Sequence, residues 1–320
     1  MAKFKDYIPA GVIPAAILAF DEEFEIDASE TRRHLSFLAA TDGISAVTVN
    51  GHSSEIHACS FDEQRNILDV AMDEIGDNLP LINGVYSDGS HEAGKIAKMA
   101  EFGGASALLC FPPHSMGMGG ISHRPEMAMA HFKTIADATD LPLIVFQYGD
   151  ELAYSLDTLV ALTEEVPSIK AVKDWSPPQA HARHIKTLQS LDRPVNVLST
   201  NSAWMMSSLV MGAKGLLSGA GSVIADMQVA LFRAIQDDDL ATARAVAAHM
   251  WHATESFYAD PFGDMHNRMK EALVHLGRQE RAVVRPPLVK LPDAEIARIG
   301  DAMVAAGLSA EGFELREAAE

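Results

Sequence analysis

The feature that most constrains this chain is a rhythm. Eight short, mostly apolar runs, at 12–20, 46–50, 81–85, 107–111, 143–147, 169–173, 195–199 and 215–218, recur roughly every 20–35 residues. Continuous apolar runs suit parallel strands covered on both faces, and the intervals leave room for a crossover helix each time. The clearest intervening helix begins at Ser60. Ser60-Phe61-Asp62-Glu63 reads as a capping box, Ile67, Val70, Ala71 and Ile75 mark one apolar face, and Gly76 is placed to end the helix in a left-handed turn. Beyond Leu240 the pattern is helical only, with candidates at 241–251 and 267–276. Arg285-Pro286-Pro287 then breaks the chain before a last helix over 293–306. These elements predict an α/β fold: a (β/α)8 TIM barrel over residues 1–235, with a C-terminal helical extension over 236–320 packed on it. A doubly wound sheet is the runner-up, disfavoured by the strand count and by the lack of a GxGxxG turn.

Charge narrows the partners. Lys and Arg total 25 against 44 Asp and Glu, a net charge of −19 over 320 residues. Such a surface repels phosphate backbones and anionic lipid, so neither nucleic acid nor a membrane is expected as partner. The apolar stretch 8–20 contains Pro9 and Pro14 and is too short to span a bilayer, and the N-terminal residues carry no hydrophobic signal region. Cys59 and Cys110 form no CxxC pair and read as packed thiols. A cytoplasmic protein is the expectation.

In a barrel, chemistry belongs at the C-terminal strand ends and in the loops that follow. Lys173 ends the run Ile169-Lys170-Ala171-Val172-Lys173, where burial would lower its pKa and free the amine to attack a carbonyl. The plainer alternative is a snorkelling lysine paired with Asp174. The loop Asn50-Gly51-His52-Ser53-Ser54-Glu55 offers amides and hydroxyls that could hold a small carboxylate, or it is an ordinary capped turn. Tyr148, after Phe146-Gln147, and His114, after Pro112-Pro113, could move protons or simply pack. His181 and His184 share one helix face, but lacking an evident third ligand they read as a solvated face, not a metal site. Met116-Gly117-Met118-Gly119-Gly120 lacks a P-loop lysine and reads as a mobile loop.

Taken in order, these segments resemble the dihydrodipicolinate synthase/N-acetylneuraminate lyase superfamily of lysine Schiff-base aldolases. Gly51-His52-Ser53-Ser54-Glu55 stands at the family's carboxylate-binding loop, and Thr139-Asp140-Leu141-Pro142 leads into the fifth strand. Ser168-Ile169-Lys170-Ala171-Val172-Lys173 matches the segment that ends in the imine-forming lysine. Gly212-Ala213-Lys214-Gly215-Leu216-Leu217-Ser218 matches the eighth-strand segment, and Val283-Val284-Arg285-Pro286-Pro287-Leu288 a C-terminal stretch. The resemblance implies a barrel whose Lys173 condenses with a 2-oxo acid such as pyruvate. It further implies substrate contacts from Gly51, His52, Ser53, Ser54, Phe146, Gln147 and Leu217, with Glu55 bracing its loop. No cofactor or metal is implied, because the covalent imine on Lys173 is the electron sink. The implied partners are a small 2-oxo acid and an aldehyde, in a homotetramer or homodimer.

The departures redirect the expected reaction. Phe146 stands where the family carries a proton-relaying tyrosine, Pro113-His114 replaces a Tyr-Tyr pair, and Glu151 stands where the synthase has an arginine for its second substrate. A phenyl ring cannot relay protons, which leaves Tyr148 and His114 as candidate acid–base groups. The expected activity is therefore a carbon–carbon lyase or aldolase acting on a 2-oxo acid, not the biosynthetic synthase. A Schiff-base dehydratase or decarboxylase, or a non-catalytic 2-oxo-acid-binding protein, are the alternatives. Phe111, Met116, Met118 and Trp175 hint at an apolar or aromatic aldehyde.

Overall fold

A computed structural model describes residues 3–4, 6–117, 124–313 and 315. Of the glycine-rich loop, residues 118–120, Met118 among them, lie outside the described residues. The eight apolar runs become eight strands: β1 (Gly11–Pro14), β2 (Val47–Val49), β3 (Leu81–Val85), β4 (Ala107–Cys110), β5 (Leu143–Gln147), β6 (Ile169–Asp174), β7 (Asn196–Ser199) and β8 (Gly215–Ser218). All strand pairs are parallel, in the order β1-β8-β7-β6-β5-β4-β3-β2. Parallel bridges Val12–Ile44 and Ala15–Thr48 join β1 to the β2 side, so the sheet closes on itself as a (β/α)8 barrel.

Helices α1 (Ala28–Ala40), α2 (Phe61–Ile75), α3 (Ser90–Gly103), α4 (Pro125–Ala136), α5 (Leu156–Glu165), α6 (Pro178–Leu188), α7 (Met205–Val210) and α8 (Gly221–Gln236) follow the successive strands. Strand parity sorts the side chains into two layers. Val145, Val172 and Val197 face the helices, while Ile144, Ala171 and Leu198 fill the barrel. A bulge shifts the β5–β6 register: Leu143 faces Ile169, but Ile144 already faces Ala171. The extra residue, Lys170, resets the phase of β6 so that Ala171 and Lys173 point inward.

Two local readings of the sequence are corrected. The first strand ends at Pro14, not Phe20. Residues 15–20 remain buried but leave the ladder, and the Ile17 amide donates to Ser222 Oγ at 2.9 Å. An apolar run cannot by itself distinguish a strand from a buried connection. The capping box at Ser60 is present, but Gly76 is right-handed (φ −65°, ψ −18°). A Cβ there would lie 2.6 Å from the Met72 carbonyl oxygen, so glycine answers a close approach instead of a left-handed turn.

Beyond α8 come α9 (Leu240–Phe257), α10 (Met265–His275) and α11 (Asp293–Ala305). They bury Met250, Phe257, Met269, Leu273 and Met303 in a second apolar cluster shared with α8. An ion pair of two fully buried groups, Lys270 Nζ to Glu55 Oε1 at 2.5 Å, ties α10 to the loop after β2. Among the described residues, no helix is long and apolar enough to cross a membrane.

Candidate active site

The site starts from a lysine that the strand register forces inward. Lys173 pairs across the sheet with Phe146, and its Nζ sits 4.0 Å from the centre of that ring. It is 4 % exposed and has no carboxylate partner among the described residues. Burial alone, unopposed by a counter-charge, lowers its pKa from 10.5 to about 7. An amine in that state is part neutral at physiological pH and nucleophilic.

Its neighbour Asp174 points the other way and does not pair with the lysine. Asp174 Oδ2 accepts hydrogen bonds from His181 Nδ1 at 2.8 Å and His184 Nδ1 at 2.7 Å, and Oδ1 accepts from the Ser176 amide at 2.9 Å. Burial by itself pushes this carboxyl upward, but the two histidine contacts outweigh it and hold the group far below its ordinary range. His181 and His184 are accordingly buried, which corrects their reading as a solvated face. The first turns of α6 fold directly back over the end of β6, and one shared carboxylate answers both imidazoles.

A cavity of about 620 Å³ opens above Lys173. His52 and Ser53 line it on one side, Phe146 and Tyr148 on another. The loop that carries His52 and Ser53 is held by its own hydroxyls: Ser53 Oγ donates to the Ala15 carbonyl and Ser54 Oγ to that of Ala16, each at 2.8 Å. Glu55 completes the loop in a left-handed conformation (φ 53°), and it accepts from Lys270 Nζ and from the Arg285 amide at 3.0 Å. Phe146 and Tyr148 share the inward face of β5, their ring centres 4.2 Å apart. The Tyr148 hydroxyl is buried with no hydrogen-bond partner, and burial raises its pKa. The His114 ring stands edge-on to Tyr148 at 5.2 Å, although His114 is not part of the cavity wall. Burial lowers the His114 pKa against the opposing pull of Asp88, which favours the uncharged imidazole.

Other expected contacts lie elsewhere. Gln147 faces away from the barrel interior, where its amide exchanges two hydrogen bonds with the Tyr154 backbone (2.9 and 3.1 Å), so strand parity removes it from the substrate side. Leu217 is buried in the barrel packing beneath the cavity, Ser54 is spent on Ala16, and Gly51 supplies no part of the wall. Phe111 packs inside the barrel against Phe146 at 5.3 Å, and Glu151 is exposed.

Part of the wall comes from residues that strand-end reasoning does not reach. Trp251, Thr254 and Tyr258 project from the end of α9, joined by Phe262 and Met265. Their signal was the helical spacing 251-254-258, which puts an aromatic face on one side of α9. A further group could ligate a metal: one nitrogen each of His52, His57 and His266 lies within 4.8 Å of the others. Burial lowers all three pKa values, so the imidazoles stand neutral. His266 Nε2 already donates to the His52 carbonyl at 2.7 Å.

Comparison with known proteins agrees with this architecture. The sequence profile of the dihydrodipicolinate synthetase family matches residues 8–306. A 4-hydroxy-tetrahydrodipicolinate synthase from Salinibacter ruber is 29 % identical over 261 residues, covering 80 % of this chain and 82 % of that protein. The dihydrodipicolinate synthase of Aquifex aeolicus superposes with a TM-score of 0.82 at 24 % identity, covering 92 % and 97 % of the two chains. A prophage protein of the same family from E. coli K12, solved in complex with pyruvate, superposes with a TM-score of 0.85 at 19 % identity, covering 93 % and 98 %. With the profile spanning the barrel, its lysine strand and the three C-terminal helices, this chain belongs to the dihydrodipicolinate synthetase family.

Proposed function

We propose that this protein is a Schiff-base-forming carbon–carbon lyase acting on a 2-oxo acid of the pyruvate type, working without metal or organic cofactor. The observation that carries the reading is Lys173: a buried amine at the floor of a cavity, with its pKa drawn down to about 7 by burial. Its neutral form adds to the keto carbon, and loss of water gives an iminium ion. Scission of the bond between the first and second carbons beyond the iminium carbon, C3–C4 of the 2-oxo acid, leaves the electron pair in an enamine. Protonation and hydrolysis then release pyruvate and regenerate the amine. The backbone amides of the loop at Ser53, whose own hydroxyl is held by Ala15, are the groups for the substrate carboxylate, and Tyr148 with His114 the groups for proton transfer. A related prophage protein solved with pyruvate bound supports the choice of 2-oxo acid.

The biosynthetic synthase reaction is not the one we favour. Among the described wall residues the only cation is Lys173, while Glu255 and Asp260 are anionic. A second substrate bearing a carboxylate would meet repulsion there. Incubation with pyruvate and borohydride, followed by intact-mass and peptide mapping, tests the assignment. One reduced pyruvyl group per chain on Lys173 is expected; an adduct on Lys170 or Lys214, or none with any 2-oxo acid, would sink it. A phenyl ring at the relay position favours a second reading, dehydration without carbon–carbon cleavage. Product analysis separates the two, since only the lyase yields an aldehyde beside pyruvate.

A further inference from the structure

The cavity is much larger than pyruvate needs, and its outer half has a distinct chemistry. Trp175 follows Lys173 by two residues and so extends from the same side of the chain. Its indole lies nearly parallel to Phe262, with centres 5.1 Å apart and planes at 21°. Phe262 in turn lies parallel to Tyr258 at 5.8 Å and 17°. Tyr148 meets Trp175 edge-on at 5.8 Å. Four rings from four separate segments thus converge beyond the amine, and Trp251 adds a fifth from α9.

Three polar groups of that half are already engaged. Thr254 Oγ1 donates to the Met250 carbonyl, Asn201 Oδ1 accepts from the Ala203 amide, and the Tyr258 hydroxyl accepts from the Ala220 amide. The Tyr148 hydroxyl is buried without a partner, and the Ser202 hydroxyl lies beside that of Tyr258. The charged members besides Lys173 are Glu255 and Asp260. Among the described residues a carboxylate or phosphate would find no counter-charge here, and a polyhydroxylated chain would lay its hydroxyls against the stacked ring faces. A flat apolar ring would bury its faces and edges against the aromatic wall.

We propose that the outer half of this cavity is an aryl-binding subsite, and that the second product of cleavage is an aromatic aldehyde. This rests on the Schiff-base reading above. The substrate class is a 4-aryl-4-hydroxy-2-oxobutanoate. Cleavage of its C3–C4 bond, with the 4-hydroxyl proton passing to a base, yields the aryl aldehyde and the pyruvate enamine on Lys173. The unpartnered Tyr148 hydroxyl can meet the C4 oxygen or one polar ring substituent.

The wild-type protein is incubated with pyruvate and, separately, with benzaldehyde, glyceraldehyde or succinic semialdehyde, and aldol formation is followed by mass spectrometry. We expect kcat/KM for benzaldehyde to exceed that for either competitor by about 100-fold. Phe262→Ala and Trp175→Ala should each raise KM for the aryl aldehyde about tenfold or more, with a smaller change in KM for pyruvate. A preference for glyceraldehyde or succinic semialdehyde, or an equal loss for all three aldehydes in both variants, would overturn the subsite. If pyruvate forms no adduct on Lys173, the underlying reading fails first. An adduct without aryl preference refutes this inference alone.

Discussion

The burial of Lys173 sets how its reactivity must follow pH. A lysine titrating at its ordinary value near 10.4 is neutral in fewer than about one molecule in a thousand at pH 7. With the pKa lowered to about 7 by loss of solvent, half of the Lys173 side chains carry a free amine at neutrality. Only that form attacks the keto carbon, so the rate of imine formation should track its population. Relative to the plateau, the rate should be about one-tenth at pH 6 and one-half at pH 7, and it should level off above pH 8. Timed borohydride quenching of a pyruvate reaction between pH 5 and 9, read by intact mass, measures this directly. A rate that climbs tenfold per pH unit through pH 9 would refute the argument. It would mean that water or an unseen carboxylate reaches Nζ, and that the Phe146 side of the cavity does not desolvate the amine.

Tyr148→Phe and His114→Ala should each lower turnover by roughly 100-fold or more, while leaving the Lys173 adduct trappable. If both variants keep near-normal turnover, the relay lies elsewhere, with His52 or Tyr258 next on the cavity wall. Lys270→Met strands the buried Glu55 carboxylate and should cost about 3–5 kcal/mol in urea unfolding. The double variant Glu55→Gln/Lys270→Met should recover much of that loss, and a single-variant cost under about 1 kcal/mol would show that the pair does not anchor the loop after β2. Treatment with EDTA should leave both adduct formation and turnover unchanged. Activity lost to the chelator and restored by one divalent ion would instead place a metal on His52, His57 and His266.

Much of this molecule is written locally. The spacing of apolar runs predicts eight parallel strands with crossover helices, because each run must be covered on both faces, and the strand count favours a barrel over a doubly wound sheet. Strand parity places Phe146 and Tyr148 on one face, and the position of Lys173 at a strand end marks it for the cavity floor. The same parity could have excluded Gln147, which a family pattern alone had put beside the substrate. Glu55 as a brace was also legible, though not its partner, since Lys270 lies 215 residues away. Contacts at that range depend on how finished helices dock, and no local period encodes them. Docking alone decides that α9 and the turn before α10 close the barrel mouth with Trp251, Tyr258 and Phe262. It also turns His181 and His184 from a polar helix face into the buried partners of Asp174. The sequence determines which way each side chain points from its own strand or helix. The character of the cavity depends on what it then meets, and that is settled by segments brought together only when the barrel closes.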